Sequence, residues 1–523
     1  MRSMTNKSIR VAWISNILFE PYLHDCLNDV FLTNNYGIIY DYICLGEIDQ
    51  KIDVIRDAEV IVVYCNFFTW YPDLLNKTDV SKNKIVEIYR DVCKRIQRLL
   101  FCIKTNRKGR VIWFGFEDYY ANYLLVFGER YLLSGLIDKL NLYLCEVVEI
   151  DVLVDLKRIV ALCGIYNSYS RKGWYRWDAP YSEELIRLMA QEIYKQYQIS
   201  IGQTKKCVVI DCDNVLWGGS LAEEGIEGIK LGKNGFGRVY HDFQKFIYML
   251  YTHGVILAIC SKNNLNDVLR VFREHDNMIL KEEYISCFMV NWESKTLNIE
   301  RISRCLNIDL DSIVFVDDSL HEVERVKGLL PKVTTIQFHR YMDYSQFSCF
   351  NLEMKYDLNN AEKRTQTYQT NVLRNELRET TENHDEYIRS LNVKMDIHKA
   401  LLIELSRIAE LTQRTNKCTN GQRYTLGELK KRIGAPEVHL YSVVVSDRFS
   451  DLGLVGAIEI EGDCLTMFSL SCRAIGLNVE KFMIDYIANN HHINSVAFFS
   501  TNKNENLHAL LTALIHNDDY PVL

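Results

Sequence analysis

The stretch that most constrains the fold is Val208–Gly219, in which a short apolar run ends in two aspartates. The run Val208–Ile210 is β-branched and has no polar break, which is typical of a buried parallel strand. Asp211 and Asp213 follow it directly, and two carboxylates leaving a buried strand need a cation between them. Because ligands bind at this edge of open α/β sheets and Mg²⁺ prefers oxygen ligands, we expect a Mg²⁺ site there.

Polar side chains follow two further predicted strands in the same way. Val255–Cys260 is followed by Ser261, and Ser312–Val316 is followed by Asp317 and Asp318. The carboxyl ends of parallel strands meet at one edge of a sheet, where ligands bind. We therefore expect all of these side chains to converge on one crevice.

These residue types suit phosphoryl transfer through an aspartyl phosphate. Asp211 would accept the phosphoryl group as the nucleophile, and Asp213 would protonate the leaving oxygen and then activate water. Ser261 and Lys295, the latter at the start of a helix predicted to end near residue 306, would hold the phosphoryl oxygens. The expected Mg²⁺ ligands are four aspartates: Asp211, Asp213, Asp317 and Asp318.

Each of these residues has a structural alternative when it is taken alone. A serine after a strand often caps a helix, a lysine is usually solvated, and an Asp-Asp pair is often part of a turn. The ordered set at three strand ends favours the catalytic interpretation over three separate coincidences.

Longer strings carry a resemblance to a known family. The order DxDN, SKN, Lys and DD is similar to that of the haloacid dehalogenase (HAD) superfamily. More specific strings resemble the FkbH-like subfamily; they are Asp211–Gly219, His241–Gln244, Ile259–Asn264, Asn291–Lys295 and Val314–Glu322. The usual DLDNTLWGG of that subfamily reads DCDNVLWGG here, with Cys212 and Val215 substituted and both aspartates kept.

The spacing of these motifs predicts a HAD Rossmann-like domain without a large cap. Asp211 and Ser261 are 50 residues apart, with a predicted helix at Tyr240–Thr252 between them, and Ser261 and Lys295 are 34 residues apart. A folded domain needs about 50 residues of its own, so neither interval easily holds one. We expect an open site whose substrate is large, tethered to a protein, or covered by another domain of the chain.

The N-terminal segment, 1–198, predicts a parallel α/β domain that is flavodoxin- or SGNH-like and non-catalytic. Apolar strands are predicted at Arg10–Ser15, Ala58–Cys65 and Arg110–Gly115, and an amphipathic helix at Lys84–Ile103. Ser15 is either a hydrolase nucleophile or a turn residue. Segment 1–198 has no later Asp-x-x-His and no glycine-rich nucleophile elbow, which favours the turn.

Two segments keep two interpretations each. The aromatic segment 166–182 either covers an active site or closes the N-terminal domain. The charged helical segment Tyr356–Leu391, within a connector at 351–395, is either a solvated spacer or functional. In it, Arg364, Tyr368 and Arg374 resemble an RxxxY…R pattern of the FkbH-like family.

The C-terminal segment, 396–523, shows strands followed by a loop and a helix. The predicted elements are Tyr441–Ser446, Leu454–Ile460, Leu465–Leu470 and the helix Val479–Asn489. A glycine-containing loop before a helix N-terminus can bind a pyrophosphate, and the arrangement resembles the GNAT acyltransferase fold. The resemblance implies that Arg473 and Gly476 hold the pantetheine arm of a carrier. Cys472 is either an acyl acceptor with a lowered pKa or a small buried residue.

Composition limits the partners and the compartment. The net charge of −7 provides no basic field for nucleic acid or acidic lipid. The 16 cysteines have no metal-binding or disulfide spacing, which predicts a reducing cytoplasm. No run of apolar residues is long enough to cross a membrane, so neither nucleic acid nor a membrane is expected as a partner.

The resemblance implies an α/β protein of three domains, with the HAD domain at 204–350. FkbH-like proteins are implied to remove phosphate from 1,3-bisphosphoglycerate and to place the glyceryl group on an acyl carrier protein. We therefore expect a Mg²⁺-dependent phosphatase and glyceryltransferase that serves polyketide or polysaccharide assembly. The alternatives are a stand-alone phosphatase for a soluble phosphorylated intermediate and a non-catalytic carrier-binding scaffold.

Overall fold

The computed structural model describes ten stretches of the chain: 7–19, 22–33, 36–75, 80–107, 109–118, 131–147, 150–350, 358–380, 384–500 and 503–516. The chain forms two compact units, Met1–Ser200 and Ile201–Leu523. The predicted segments 204–350, 351–395 and 396–523 all fall in the second unit. Their division into separate domains stays a prediction.

The first unit is built on a parallel five-stranded sheet. Its strands, in the spatial order β2-β1-β3-β4-β5, are β1 (Lys7–Ser15), β2 (Tyr36–Cys44), β3 (Val60–Tyr64), β4 (Arg110–Phe114) and β5 (Val152–Val154). Its helices are α1 (Tyr22–Leu32), α2 (Ile52–Asp57), α3 (Phe67–Trp70), α4 (Lys82–Asn106), α5 (Tyr131–Glu146), α6 (Leu156–Cys163), α7 (Ile165–Ser168), α8 (Arg171–Trp177) and α9 (Glu183–Ser200). The predicted parallel α/β arrangement is confirmed, together with the three predicted strands and the long helix.

Part of the core of this unit lies between the central strands and one face of α4. Ile88, Val92 and Ile96 are buried at helical spacing on that face, as their periodicity predicts. The opposite face is polar, so α4 is amphipathic over its 25 residues. Among the described stretches of the chain, no helix is both long enough and apolar enough to cross a membrane.

Buried polar side chains close the carboxyl edge of this sheet. Glu117 accepts hydrogen bonds from the hydroxyls of Tyr169 (2.6 Å) and Tyr181 (2.8 Å), and Tyr181 also bonds to Tyr64. The aromatic segment 166–182 therefore packs over the carboxyl edge of this sheet, and its two interpretations both stay predictions. Ser15 is fully buried and its Oγ accepts from the Ile17 amide at 3.2 Å, as the turn interpretation predicts.

The second unit contains a second parallel sheet of five strands. Its spatial order is β10-β9-β6-β7-β8, with β6 (Cys207–Ile210), β7 (Ile256–Ser261), β8 (Ile285–Val290), β9 (Ile313–Asp317) and β10 (Thr334–Gln337). The helices between its strands are α10 (Leu221–Gly228), α11 (Arg238–Thr252), α12 (Leu265–Glu274), α13 (Lys295–Cys305) and α14 (Leu320–Leu329). β6 is central and fully buried, as its apolar run predicts.

The intervals between the strands hold no inserted domain. In the continuously described stretch 150–350, the interval from Asp211 to Ser261 contains the two helices α10 and α11 and a short bridge between Gly218 and Lys230. The interval from Ser261 to Lys295 contains α12 and β8. The expectation of a domain without a large cap agrees with this arrangement.

The rest of the unit is a mixed sheet flanked by helices. Its order is β11-β13-β14-β15-β12, with a short β16 beside β15. The strands are β11 (Lys394–Lys399), β12 (Cys418–Thr419), β13 (Val438–Ser446), β14 (Asp451–Glu461), β15 (Cys464–Leu470) and β16 (Ser495–Val496), and all pairs are antiparallel except β15 with β16. The helices are α15 (Leu358–Thr380), α16 (His384–Leu391), α17 (Leu405–Arg414), α18 (Leu426–Arg432), α19 (Val479–Asn490) and α20 (Glu505–His516).

The connector helix α15 packs against both sheets, so it is not a solvated spacer. The Gln369 side chain donates to the Ile285 carbonyl at the start of β8 (2.9 Å). Arg374 is 3% exposed and donates two hydrogen bonds to the Asp447 carboxylate, which follows β13, at 2.6 and 3.0 Å. Of the predicted segment Tyr356–Leu391, positions 356–357 and 381–383 lie outside the described residues.

Replacing Arg374 with methionine should strongly destabilise the second unit. The substitution leaves the buried Asp447 carboxylate without its bidentate partner, and breaking one side of a buried ion pair costs about 3–5 kcal/mol. The free energy of unfolding, measured by urea denaturation of the full chain, checks this.

The matched control is Arg301→Met, which removes an arginine that pairs with Glu293 at the surface, where both side chains are more than a third exposed. Its unfolding free energy should change by about 1 kcal/mol or less. Equal losses in the two variants would contradict a structural role for the Arg374–Asp447 pair.

Candidate active site

The register of the parallel sheet brings the predicted site residues to one edge. Ile210 at the end of β6 pairs with Val316 of β9 on one side and with Ile259 of β7 on the other. The next residue, Asp211, therefore lies beside Asp317, and its amide donates to the Val316 carbonyl at 3.0 Å. Ser261 ends the neighbouring strand β7 at the same edge.

Lys295 lies between the carboxylates of two different strands. Its Nζ is 2.7 Å from Asp211 Oδ2 and 2.5 Å from Asp317 Oδ2, and all three side chains are buried. Burial alone would lower the pKa of Lys295, but the two carboxylates outweigh burial and raise that pKa above its ordinary value. Lys295 is therefore a fixed positive charge at the centre of the site.

The carboxylates outnumber this single cation. Oxygen atoms of Asp211, Asp317 and Asp318 all lie within 4.8 Å of one another. Burial and the charge of Asp211 raise the pKa of both Asp317 and Asp318. Asp211 Oδ1 is buried and accepts no hydrogen bond from the described residues. Three clustered carboxylates with an unpartnered buried oxygen form the all-oxygen donor set that suits a hard divalent cation.

Asp213 is directed away from that cluster. Its Oδ1 accepts hydrogen bonds from the Trp217 indole (2.9 Å) and the Leu221 amide (3.2 Å). Burial raises the pKa of Asp213, although these hydrogen bonds partly offset it. The acid–base and metal-ligand roles that the sequence predicts for Asp213 stay predictions.

The loop between Asp213 and α10 is fixed by its backbone and by α11. Asn214 and Gly219 both have positive φ (56° and 96°), and the Asn214 side chain accepts from the Gly219 amide at 2.9 Å. A Cβ at Gly218 would lie 2.6 Å from the Tyr240 ring. Gln244 of α11 is fully buried and donates to the Leu216 carbonyl at 2.8 Å. The glycine pair and Gln244 thus shape the turn at the site.

Sequence analysis did not assign several residues that complete the site. Asn263 donates to the Ser261 hydroxyl at 3.1 Å, and its side chain lowers the pKa of Asp213. Lys262 pairs with Glu322 at 2.6 Å, and this bond joins the loop after β7 to the first turn of α14. Asn263 could be assigned to the site from the sequence, because it is the third residue of the SKN string.

The structure places Cys472 and Arg473 away from this site. The Cys472 carbonyl accepts from the Asn307 side chain at 2.9 Å, and Asn307 lies before β9, at the amino edge of the sheet. Cys472 does not lie at the N-terminus of α19. Cys472 begins a three-residue 3₁₀ turn, and the chain turns again at Gly476 (φ 84°) and Asn478 (φ 61°) before α19 starts.

Arg473 is also turned into the protein, where it is 9% exposed. Its Nη1 donates to the Thr367 hydroxyl at 3.3 Å, and its Nε donates to the Ser471 hydroxyl at 3.4 Å. The carrier-binding roles of Arg473 and Gly476 stay predictions.

The structure is similar to the N-terminal part of a Bacteroides fragilis protein that contains a phosphatase domain and was crystallised in complex with Mg. The TM-score is 0.58 and the sequence identity is 22%, over 66% of this chain and 94% of that one. At this identity the likeness shows the fold alone.

Two other solved structures are less similar. A lipase from a goat rumen metagenome gives a TM-score of 0.29 at 13% identity, over 37% of this chain and 97% of that one. The second is a GCN5-related glucosamine N-acetyltransferase region of a fungal multi-domain GH3 β-N-acetylglucosaminidase. Its TM-score is 0.15 at 9% sequence identity, over 92% of this chain and 58% of that one. Both values are too low to support an argument. No family model matches the chain, and no curated protein matches it.

Replacing Lys295 with methionine should destabilise the second unit in buffer that contains a chelator. The variant leaves Asp211 and Asp317 buried beside each other without their shared cation, at a cost of about 3–5 kcal/mol. Urea denaturation with EDTA present measures this loss.

Lys327→Met provides the control in the neighbouring helix α14. Lys327 is 65% exposed and pairs with Glu324, which is 58% exposed, so its loss should cost about 1 kcal/mol or less. If Lys295→Met unfolded no more easily than Lys327→Met, the central position assigned to Lys295 would be wrong.

Proposed function

We propose that this protein is a Mg²⁺-dependent phosphatase of the HAD type that works through an aspartyl phosphate on Asp211. One observation carries the proposal: Lys295 bridges Asp211 and Asp317 while the second oxygen of Asp211 is buried and unpartnered. A carboxylate held in this way has one oxygen neutralised and the other free to react or to bind a cation. The magnesium in the similar Bacteroides structure supports the choice of metal.

Asp211, Asp317 and Asp318 would hold the Mg²⁺ ion together with the backbone carbonyl of Asp213. When bound, Mg²⁺ supplies Lewis-acid neutralisation of the phosphoryl oxygens. The net charge of the three carboxylates and Lys295 is −2, which one divalent cation balances. The carboxylate of Asp213 is left for proton transfer because it already binds the Trp217 indole and the Leu221 amide.

The chemistry follows from the positions of three side chains. An oxygen of Asp211 attacks the phosphorus, the bond to the leaving oxygen breaks, and Asp213 gives that oxygen its proton. Water then attacks the same phosphorus, Asp213 takes the proton, and the Asp211 carboxylate is restored. Lys295 stabilises the negative charge on the transferring group.

The finer proposal is glyceryl transfer to an acyl carrier protein. In it, the phosphate ester of 1,3-bisphosphoglycerate is hydrolysed at Asp211, while a thiol attacks the acyl phosphate carbonyl and releases the second phosphate. The resemblance to the FkbH-like family and the site without a cap support it, because an arm tethered to a protein can reach an open site.

A stand-alone phosphatase for a soluble intermediate is the second candidate. One observation favours it: Cys472 and Arg473 lie toward the amino edge of the sheet, away from Asp211. Acyl transfer through these residues would therefore require a carrier arm that moves between them and Asp211.

A single experiment tests both candidates. Carrier proteins bearing a phosphopantetheine arm are incubated with the protein, Mg²⁺ and 1,3-bisphosphoglycerate generated in situ. Intact mass spectrometry of the carrier and phosphate release are measured together. We expect release to fall at least a thousandfold in Asp211→Asn and on addition of EDTA, because the nucleophile and the metal site are lost.

Asp276→Asn serves as the control, since it removes an exposed carboxylate after α12. A glyceryl mass on the carrier supports the transferase, and phosphate release without that mass supports the stand-alone phosphatase. Phosphate release that persists in Asp211→Asn would contradict both.

A further inference from the structure

A groove runs along the outer edge of β8, the last strand of the parallel sheet in the second unit. β8 pairs with β7 on one side, and in the described part of the chain no strand pairs with its other side. Helix α15 and the loop between β13 and β14 supply the rest of the lining. The volume of the groove is about 820 Å³, which lies within the roughly 300–1,000 Å³ that small-molecule sites occupy.

A β-bulge at the start of β8 leaves one polar group of the groove without a partner. The pairing with β7 skips Ser286, because its neighbours Ile285 and Cys287 pair with consecutive residues of β7. A bulge of this kind changes the direction of a side chain. Ser286 lines the groove and is 2% exposed, and its Oγ makes no hydrogen bond to the described residues. Since an unpartnered buried hydroxyl is costly, a ligand that bonds to it would be favoured.

The other side chains of the groove combine amides with apolar surface. Gln369 of α15 donates through Nε2 to the Ile285 carbonyl at 2.9 Å. Gln366 also lines the groove, and it lies one turn earlier on the same face of α15. Phe288 of β8 and Phe449 of the loop after β13 supply apolar surface. The lining therefore favours a ligand in which amide groups alternate with short hydrocarbon segments.

The charges of the groove exclude an anionic ligand. Among the described residues that line it, none is basic, and Glu282 and Asp451 carry negative charge. Arg273 neutralises Glu282 through two hydrogen bonds of 2.6 and 2.9 Å. Asp451 is exposed to solvent and accepts from the Gly453 amide at 2.8 Å, and a solvated carboxylate attracts a cation only weakly. The groove therefore suits an uncharged ligand.

We propose that this groove binds the pantetheine arm of the carrier, an uncharged chain with two amide groups and a hydroxyl. The inference rests on the carrier partner of the proposed function and deepens it. Extended chains bind to an open strand edge through their amide groups, with neighbouring pockets for apolar parts, and β8 offers such an edge beside Phe288 and Phe449. Arg473 and Gly476, for which the sequence predicts this role, do not line the groove.

The groove leads to the edge of the sheet that carries Asp211. Its lining extends from Glu282, which lies before β8, to Met289 near the end of that strand. The next residue, Val290, pairs with Ser261 at the carboxyl end of β7. The six residues of β8 span roughly 20 Å. An arm that lies along β8 would therefore direct its thiol toward the crevice of Asp211, while its phosphate end stays outside the groove, where no cation is needed.

Isothermal titration calorimetry with pantetheine tests the proposal on the full-length protein. A reductant keeps the thiol reduced, and EDTA together with the absence of a phosphoryl donor separates binding from hydrolysis. We expect one pantetheine per chain. The affinity should be about fivefold weaker in Phe449→Ala, which removes apolar surface, and about threefold weaker in Ser286→Ala, which removes one hydrogen bond. Phe482→Ala, which removes a 38% exposed phenylalanine of α19 outside the groove, should bind as the wild type does.

Ser286→Ala keeps the test valid if Phe449→Ala is unstable, because removing an unpartnered buried hydroxyl does not weaken the fold. Circular dichroism confirms that each variant is folded. Absence of saturable binding to the wild type overturns the proposal, as does unchanged affinity in every folded groove variant. Tighter binding of an uncharged tetrapeptide would assign the groove to a peptide and would also overturn it. None of these results depends on phosphate release, so a failure here is distinct from a failure of the proposed phosphatase.

Discussion

The contact between Lys295 and two aspartates is the interaction on which the site depends. Lys295 is the first residue of α13, where the helix dipole disfavours a positive charge. Asp211 and Asp317, which end adjacent central strands, supply the opposing charge. The helix after β8 is thereby joined to β6 and β9. The same contact holds one oxygen of Asp211 and leaves the other without a partner among the described residues. The proposed chemistry therefore uses the carboxylate in the orientation that Lys295 gives it.

Much of the candidate active site could be predicted because its residues lie in short, local sequence patterns. Buried parallel strands are continuous apolar runs, and the polar residues that follow them can be identified from the sequence alone. β8 (Ile285–Val290) was missed, although Asn291–Lys295 directly after it was recognised. β8 is an edge strand, and its pattern Ile-Ser-Cys-Phe-Met-Val lacks the β-branched continuity of β6. The edge strand β2 (Tyr36–Cys44) escaped prediction for a similar reason, since polar residues interrupt its apolar pattern.

The contacts of the connector helix could not be predicted from the sequence. Arg364 and Arg414 are 50 positions apart, and both meet at Gly254, far earlier in the chain. They come together only because α15 and α17 pack against the parallel sheet of the second unit. The polar sequence of α15 predicts a solvated helix, because charge pattern alone does not distinguish a buried ion pair from an exposed face. The buried partner of Arg374 is visible only in the structure.

The central claim is that Asp211 itself accepts the phosphoryl group, and reductive trapping tests it most directly. The protein is mixed with Mg²⁺ and acetyl phosphate and quenched with borohydride, which reduces an aspartyl phosphate to homoserine. Peptide mass spectrometry should then find homoserine at position 211 and unchanged aspartate at position 213. Phosphate release with position 211 unmodified, or modification at another aspartate, would contradict the account.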